Sequence, residues 1–209
     1  MLLVNIDIFL KKCQYLLMKP VNIPLSLLKR RIFTYSQAIS DGLSQYKIEQ
    51  LVGQGLLDHI DRGIYQIPSG SFSNEDIYRQ ATVIAGFPCA ICLWSALVFY
   101  DLTDEIDIKT WLWIAQDKRI RNRLIRPVRR ANPQWRTGID VHEGYWVTSI
   151  ERTLVEALAY PRYVGSFAAN SALKQALRQK KTDIAKIITM AKNLNFFNRI
   201  EKILEVYFD

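Results

Sequence analysis

Apolar residues between positions 45 and 53 recur at the spacing of one helix face. Ile48, Leu51 and Val52 follow the i, i+3, i+4 rule, which places their side chains on a common stripe. Ser44 comes just before this stripe as an N-cap residue, because its hydroxyl can accept a backbone N–H from the first helical turn. The pattern therefore predicts a helix that begins after Ser44, buries one face and turns its polar face toward solvent.

A shorter helix is predicted before this one, and a hairpin after it. The shorter helix ends at Asp41-Gly42, because glycine accepts the left-handed conformation that is common at helix ends. Two apolar runs, Leu56–Ile60 and Ile64–Ile67, then flank a turn at Asp61-Arg62-Gly63. Residues 32–68 are thus predicted to form a helix-turn-helix with a wing.

The remainder of the chain mixes short strands with helices and ends in helices alone. Runs rich in aromatic and β-branched residues, or alternating with period two, predict strands at Lys109–Ala115, Leu124–Arg130, Ile139–His142 and Tyr145–Val147. Apolar positions at helical spacing predict helices at Ser73–Ala85, Leu93–Tyr100, Thr148–Ala159, Phe167–Gln179, Asp183–Lys192 and Phe196–Tyr207. Thr148 and Glu151 are expected to start the third of these helices as a capping box.

Two breaks divide the chain into three parts. Lys19-Pro20 ends an amphipathic helix predicted within residues 1–23, which either packs on the domain or mediates dimerisation. A winged helix-turn-helix domain occupies residues 24–70, and Ser69-Gly70-Ser71 forms a short linker to an α/β domain of residues 71–209. The predicted fold class is α+β, with a small, mostly antiparallel sheet and C-terminal helices in the second domain.

The polar face of the second helix carries side chains suited to reading DNA. A helix of about ten residues is roughly 15 Å long and fits the major groove, where amides and amines reach base edges or phosphates. The expected DNA-binding residues on this helix are Ser44, Gln45, Lys47 and Gln50. Arg62, at the tip of the hairpin, is expected to reach the neighbouring backbone or minor groove. A protein-docking module would show the same solvated polar face, so both hypotheses stay open.

Three ordered groups of residues resemble one known family. They are Phe33 and Gly42-Leu43-Ser44 with Leu51-Val52, Gly55, Leu57 and Arg62-Gly63-Ile64-Tyr65, then Leu93-Trp94-Ser95-Ala96-Leu97 with Leu102-Thr103-Asp104, and finally Thr148-Ser149-Ile150-Glu151-Arg152-Thr153-Leu154-Val155. In this order, from about Ser26 onward, the chain resembles the AbiEi family. Members of that family are antitoxins of type IV toxin–antitoxin systems, which act in abortive infection as a phage defence, and they repress their own operons.

The resemblance implies a DNA-binding transcriptional regulator that uses no cofactor. Its winged helix would bind double-stranded operator DNA, with a homodimer on the DNA. Its C-terminal domain would take part in cooperative operator binding and counteract a nucleotidyltransferase-like toxin. The family often has Asp where this chain has Glu156, so the chain departs from the family pattern there. Glu151, Arg152 and Glu156 are expected to act locally, by capping and pairing.

The distribution of charge favours a polyanionic partner. The chain carries a net charge of +8, and eight basic residues but no acidic one lie between Lys118 and Arg136. The basic patch predicted from this run consists of Lys118, Arg119, Arg121, Arg123, Arg126, Arg129 and Arg130. Arginine suits phosphate because its planar fork donates two hydrogen bonds at once. DNA, RNA and the toxin itself all stay open as partners of the patch, and so does a merely solvated surface.

Cysteine usage and hydropathy indicate a cytoplasmic protein that does not enter a membrane. Three cysteines are an odd number, which argues against a disulfide framework. The N-terminal apolar stretch lacks a basic region before it, so no signal peptide is expected. The 20 uncharged residues Ala81–Tyr100 are long enough for a membrane span, but Gly86-Phe87-Pro88 cuts the run into two shorter buried elements.

Motifs for metal binding and catalysis are weak. The pair in Cys89-Ala90-Ile91-Cys92 has the spacing of zinc ligands, but no second pair follows it. Asp104, Glu105 and Asp107, with Lys109 after them, loosely resemble the acidic residues and lysine of metal-dependent nucleases, which is the third hypothesis for function. No glycine-rich phosphate loop is present and both histidines are isolated. We therefore expect no catalytic residue, no metal and no cofactor.

Overall fold

A computed structural model describes residues 23–68, 73–105, 108–129 and 135–207 of the chain. The chain separates into two units, and the division falls between Ser69 and Gly70. The helix predicted within residues 1–23 and the linker Ser69-Gly70-Ser71 lie outside the described residues, apart from position 23. Both units combine helices with a sheet, so the protein belongs to the mixed α/β class.

Over residues 23–68, the first unit packs three short helices on a three-stranded antiparallel sheet. The helices are α1 (Leu25–Arg30), α2 (Tyr35–Ser40) and α3 (Gln45–Gly53). The strands are β1 (Ile32–Thr34), β2 (Asp58–Asp61) and β3 (Ile64–Gln66), in the order β1-β3-β2. The helices and the hairpin that the sequence predicts are therefore present, whereas β1 is too short for its three residues to show a period. The assignment of this unit to the winged-helix class stays a prediction.

Side-chain caps set the starts of α2 and α3. Thr34 Oγ1 accepts the backbone N–H of Gln37 at 3.2 Å, and Gln37 Oε1 accepts the backbone N–H of Thr34 at 2.8 Å, which is a capping box. Ser44 Oγ accepts the backbone N–H of Lys47 at 3.3 Å, as the sequence predicts. The buried face of α3 consists of Ile48 and Leu51. The local signals thus fix where α3 begins and which of its faces turns inward.

The second unit is built on a five-stranded mixed sheet. Its strands are β4 (Cys89–Ile91), β5 (Thr110–Ile114), β6 (Ile125–Arg129), β7 (Ile139–His142) and β8 (Tyr145–Thr148), in the order β6-β5-β4-β8-β7. The pairs β4/β5 and β7/β8 are antiparallel, whereas β5/β6 and β4/β8 are parallel. The prediction of a mostly antiparallel sheet is therefore wrong. It fails for two reasons. The three buried residues of the central β4, which pairs parallel with β8, show no strand period, and β6 runs parallel to β5 although the sequence predicts both strands.

Helices cover both faces of this sheet. They are α4 (Asn74–Ala85), α5 (Leu93–Phe99), α6 (Ile150–Ala159), α7 (Pro161–Val164), α8 (Ser166–Arg178), α9 (Ile184–Asn193) and α10 (Phe197–Leu204), and a short 3₁₀ turn (Glu205–Tyr207) follows. Trp111 and Trp113 of β5 pack with the helices from α6 onward, whereas Leu112 and Ile114 pack with α4. In the part of the chain that the structure describes, no helix has the length and hydropathy needed to cross a membrane.

The start of α6 differs from the sequence prediction by one residue. Ser149 caps the helix, because its Oγ accepts the backbone N–H of Arg152 at 3.3 Å. Thr148 instead bonds to the carbonyl oxygen of Ile91 at 3.3 Å and to the hydroxyl of Thr153 at 2.8 Å. The predicted capping box of Thr148 and Glu151 is therefore wrong, because the Thr148 hydroxyl is used to join β8 to β4.

A buried ion pair fastens the chain segment before β7 to α6. Arg152 Nε lies 3.2 Å from Glu156 Oε1, and both side chains are almost completely buried. Arg152 Nη1 also donates to the carbonyl oxygens of Trp135 and Thr137, each at 2.7 Å. At Gly138, where φ is +65°, a Cβ atom would stand 3.0 Å from the Arg152 Cβ, so the segment needs glycine to approach the helix this closely.

We expect the substitution Arg152→Ala to lower the free energy of unfolding of the second unit by about 3–5 kcal/mol, because it leaves Glu156 buried without its cation. The control Arg178→Ala, at an exposed position of α8, should change that free energy by less than about 0.5 kcal/mol. Urea unfolding followed by tryptophan fluorescence measures this directly, because every tryptophan of the chain lies beyond residue 70. Equal stabilities of the two variants would contradict the structural role of the pair.

Candidate nucleic-acid interface

Helix α3 turns a polar face to the surface of the first unit. Gln45 and Gln50 are exposed and Lys47 is partly buried, whereas Ile48 and Leu51 on the opposite side are at most 1% exposed. The helical period therefore places the predicted groove-reading residues as expected. The structure adds Tyr46, which is 76% exposed and was not singled out by the sequence pattern.

The polar side chains of α3 are bonded to one another. Gln45 Nε2 donates to Glu49 Oε1 at 2.9 Å, and Lys47 Nζ donates to Gln50 Oε1 at 3.1 Å. Sequence reasoning missed Glu49, although its i, i+4 spacing from Gln45 is the signal that could have found it. An acidic residue on this face repels any phosphate that approaches it.

The hairpin tip is fixed beside the start of α2. The backbone N–H of Tyr35 donates to the carbonyl oxygen of Gly63 at 2.7 Å, and the backbone N–H of Arg62 donates to Asp61 Oδ1 at the same distance. The Arg62 side chain is exposed at this tip. The first unit therefore presents a capped polar helix and a tethered hairpin that carries a cation.

The described part of the first unit contributes little net charge. This part, residues 23–68, contains five basic and four acidic residues. Arg30 also lies 3.9 Å from Asp41, so part of its charge is compensated locally. Within the described residues, most of the excess positive charge that would attract a polyanion therefore lies in the second unit.

The predicted basic patch lies at the β6 edge of the second unit's sheet. Arg126 and Arg129 alternate across β6, with Arg126 over the ring of Trp111 at 4.3 Å and Arg129 paired with Ile114. Arg121 and Arg123 are exposed on the connection between β5 and β6. Arg130 lies outside the described residues.

Lys118 and Arg119 donate hydrogen bonds to backbone carbonyl oxygens of the turn after α4 and of the segment after β5, respectively. Lys118 Nζ donates to the carbonyl oxygens of Ala85 at 3.3 Å and Phe87 at 2.8 Å, and also to that of Gly86. Arg119 Nη1 donates to the carbonyl oxygens of Gln116 and Lys118 at 3.2 and 3.3 Å. The Lys118 ammonium can therefore attract an anion by its charge, but its hydrogen bonds are used to hold the turn that follows α4.

The residues considered for metal and redox chemistry do not form a site among the described residues. No group of three or more His, Cys, Asp or Glu side chains that could hold a metal is found there, and Asp107 lies outside them. Asp104 and Glu105 are exposed after α5. Cys89 and Cys92 are buried free cysteines, and burial raises the pKa of the Cys89 thiol to about 11, so that it stays protonated at neutral pH.

Several polar residues in the second unit's motif stretches make internal bonds. Ser95 Oγ accepts the backbone N–H of Trp111 at 2.8 Å, and the Ser95 carbonyl oxygen accepts the Tyr78 hydroxyl at 3.3 Å. Tyr100 donates through its hydroxyl to Asp140 Oδ2 at 2.7 Å and to the Thr148 carbonyl oxygen at 3.0 Å. Burial, followed by the bond to Asp140, raises the pKa of Tyr100, so the hydroxyl stays a donor. Ser95 of the motif and Tyr100, which follows α5, therefore join this helix to the sheet.

Comparisons with known proteins add a similarity of fold. No family model and no curated protein matches the chain. The crystal structure of the RV2827C protein from Mycobacterium tuberculosis is similar, with a TM-score of 0.58 and 14% sequence identity, over 86% of this chain and 74% of that one. At this identity the two proteins share a fold, and the similarity carries no statement about activity.

Proposed function

We propose that the chain is a DNA-binding transcriptional regulator of the AbiEi type. In this proposal the first unit is a winged helix-turn-helix, α3 lies in the major groove of operator DNA, and the β2–β3 hairpin is the wing. The observation that carries it is the exposed polar face of α3 together with the exposed Arg62 at the hairpin tip, which the bond from Tyr35 to Gly63 holds at the start of α2. The sheet order β1-β3-β2, with β1 between α1 and α2, also fits that class.

Each residue of the reading face has a distinct role in the proposal. Helix α3, with nine residues, is about 13 Å long and fits one groove. Gln45 and Gln50 carry the amides that can pair with adenine edges, and Lys47 reaches guanine or phosphate. Arg62 binds the backbone on the far side of the groove. The internal bonds of Gln45 and Lys47 are exchanged for contacts to bases when DNA enters.

The antitoxin part of the proposal rests on the resemblance of the motif stretches to the AbiEi family. The second unit would counteract a nucleotidyltransferase-like toxin encoded beside this chain, and its basic patch would add to the affinity for the operator. A homodimer on DNA would double the number of groove contacts. In this proposal, the protein and its operator DNA are both in the cytoplasm.

A second candidate function is docking of another protein on the first unit. Tyr46 and Glu49 favour it, because an exposed aromatic ring and a carboxylate on the same face are typical of a contact with a basic protein partner. The two candidates predict opposite responses to removal of the Glu49 charge.

We expect Lys47→Ala to weaken binding to duplex DNA from the region upstream of this reading frame. It should also flatten the plot of log affinity against log salt by about one, because one phosphate contact is lost. Arg62→Ala should act in the same way. Lys174→Ala, at an exposed position of α8, serves as the control and should leave the slope unchanged. Salt-insensitive binding of the unmodified protein would exclude groove recognition and favour docking.

Replacing Glu49 by Gln is expected to strengthen DNA binding about fivefold, or roughly 1 kcal/mol, because it removes a negative charge facing phosphate. The amide still accepts the bond from Gln45, so the geometry of the face is kept. Fluorescence anisotropy with a labelled duplex measures the change. A docking surface for a basic protein would instead lose affinity for that protein, and unchanged DNA binding would place α3 away from the groove.

The antitoxin role predicts that the reading frame next to this one encodes a nucleotidyltransferase-like protein. Its expression alone should arrest growth, and co-expression of the full chain should restore it. Lys47→Ala and Arg62→Ala should retain this rescue, because the proposal assigns it to the second unit. Growth arrest that the full chain does not relieve would remove the antitoxin role while leaving DNA binding intact.

A further inference from the structure

Three neighbouring strands of the second unit place Trp113, Ala90 and Trp146 side by side on one face of the sheet. Ala90, in the middle, has the smallest side chain of the three. Ala90 is paired with Trp113 on one side, and on the other it lies beside Trp146, one residue before the Ile91–Val147 pair. Trp135 stacks on both indoles, with ring centroids 5.8 Å from Trp113 and 5.6 Å from Trp146 and interplanar angles of 10° and 18°. The small side chain of Ala90 leaves room for this third ring, so three tryptophans form one continuous stack.

Phe87 continues this aromatic cluster to the surface, with its ring tilted by 53° relative to that of Trp146. Its ring centroid lies 4.7 Å from that of Trp146, and the residue is 52% exposed. The turn that carries it is held by Lys118, whose ammonium donates to the carbonyl oxygens of Phe87 and Gly86. An exposed ring that is backed by aromatic core and held in one place loses little conformational entropy when a planar ligand stacks on it.

Guanidinium groups surround the same end of the sheet. Arg129 Nε donates to the carbonyl oxygen of Lys118 at 3.0 Å, and Arg119 Nη1 donates to that oxygen at 3.3 Å. Arg136 lies over the Trp135 ring, 5.0 Å from its centroid. The acidic residues of these loops are Asp117 and Glu143. Lys118 therefore joins the turn that carries Phe87 to two guanidinium groups, and a third guanidinium group lies on the tryptophan stack.

We propose that a surface formed by Phe87 against the tryptophan stack, by Arg136 on that stack, and by Arg119 and Arg129 at the Lys118 carbonyl at the end of the sheet binds an unpaired strand of nucleic acid. A base stacks on Phe87, and the phosphates on either side of it pair with the guanidinium groups. Stacking is available to an unpaired base only, because the faces of bases within a duplex are already covered by their neighbours. Stacking also tolerates any base, so the surface has little sequence preference.

This site is independent of the proposed function of the first unit. Substitutions of Lys47 or Arg62 should leave it unchanged, and substitution of Phe87 should leave recognition of operator duplex by α3 unchanged. The failure of either proposal is therefore seen separately from the failure of the other.

The test uses the full chain and fluorescein-labelled 12-nucleotide oligouridylate and oligodeoxythymidylate, with a 12-base-pair duplex of mixed sequence for comparison. We expect Phe87→Ala to lower the affinity for the single strands roughly 5- to 100-fold, which corresponds to about 1–3 kcal/mol. Phe87→Trp should retain the affinity, because it keeps a ring at the same position. Phe167→Ala removes an exposed phenylalanine of α8 that is 89% exposed, and this matched control should have no effect.

Binding to either oligonucleotide that depends on Phe87 supports the proposal, and the preferred one identifies RNA or DNA as the natural strand. Arg129→Gln should weaken binding and reduce its dependence on salt. Unchanged affinity in Phe87→Ala overturns the proposal. So does a duplex whose affinity falls in Phe87→Ala as much as that of the single strands, because the ring would then not be reserved for an unpaired base. Binding of polyglutamate that depends on Phe87 as strongly as binding of the single strands also overturns it, because an acidic protein would then be the better occupant. The unfolding curves of the variants, followed by tryptophan fluorescence, separate loss of the ring from loss of the fold.

Discussion

The buried pair of Arg152 and Glu156 is the contact on which the second unit's surface depends. Its guanidinium neutralises a carboxylate inside α6 and at the same time holds the carbonyl oxygens of Trp135 and Thr137. A charge buried this deeply is tolerated only when every partner stays in place, so the pair fixes the segment before β7 with little freedom. That segment supplies the middle ring of the tryptophan stack. The interior of the protein therefore determines the position of the rings that reach its surface.

The sequence predicts most of the first unit because its signals are local. Ser44 caps the helix that it precedes, and the i, i+3, i+4 stripe of Ile48 and Leu51 is buried. The second unit was harder because its sheet is assembled from distant segments. Strand β4 has three buried residues and no visible period, and it inserts between β5 and β8. Its parallel pairing with β8, together with the parallel pair β5/β6, makes the sheet mixed. The cap of α6 moved from Thr148 to Ser149 because the threonine hydroxyl is used across the sheet.

The candidate site also divides into features that local sequence signals predict and contacts between distant segments that they do not predict. Helical period was enough to place Gln45 and Gln50 on the exposed side of α3, and strand period was enough to place Arg126 and Arg129 on opposite sides of β6. Neither period reveals which side chains meet. The bond from Gln45 to Glu49 has a recognisable spacing, but the capture of three carbonyl oxygens by Lys118 joins segments more than 30 residues apart. A basic run in a sequence therefore overstates the number of cations whose hydrogen bonds are available to a ligand.

The methyl side chain at position 90 has a consequence for other chains of this fold. It lies between two indoles in the register of the sheet, and a third indole occupies the space above it. Valine or any bulkier residue there would displace that ring and separate the surface aromatic from its support. Among chains of this fold, we therefore expect the tryptophan stack only where the residue at this position of the central strand is as small as alanine. Chains with a larger residue there must cover this face of the sheet with other side chains.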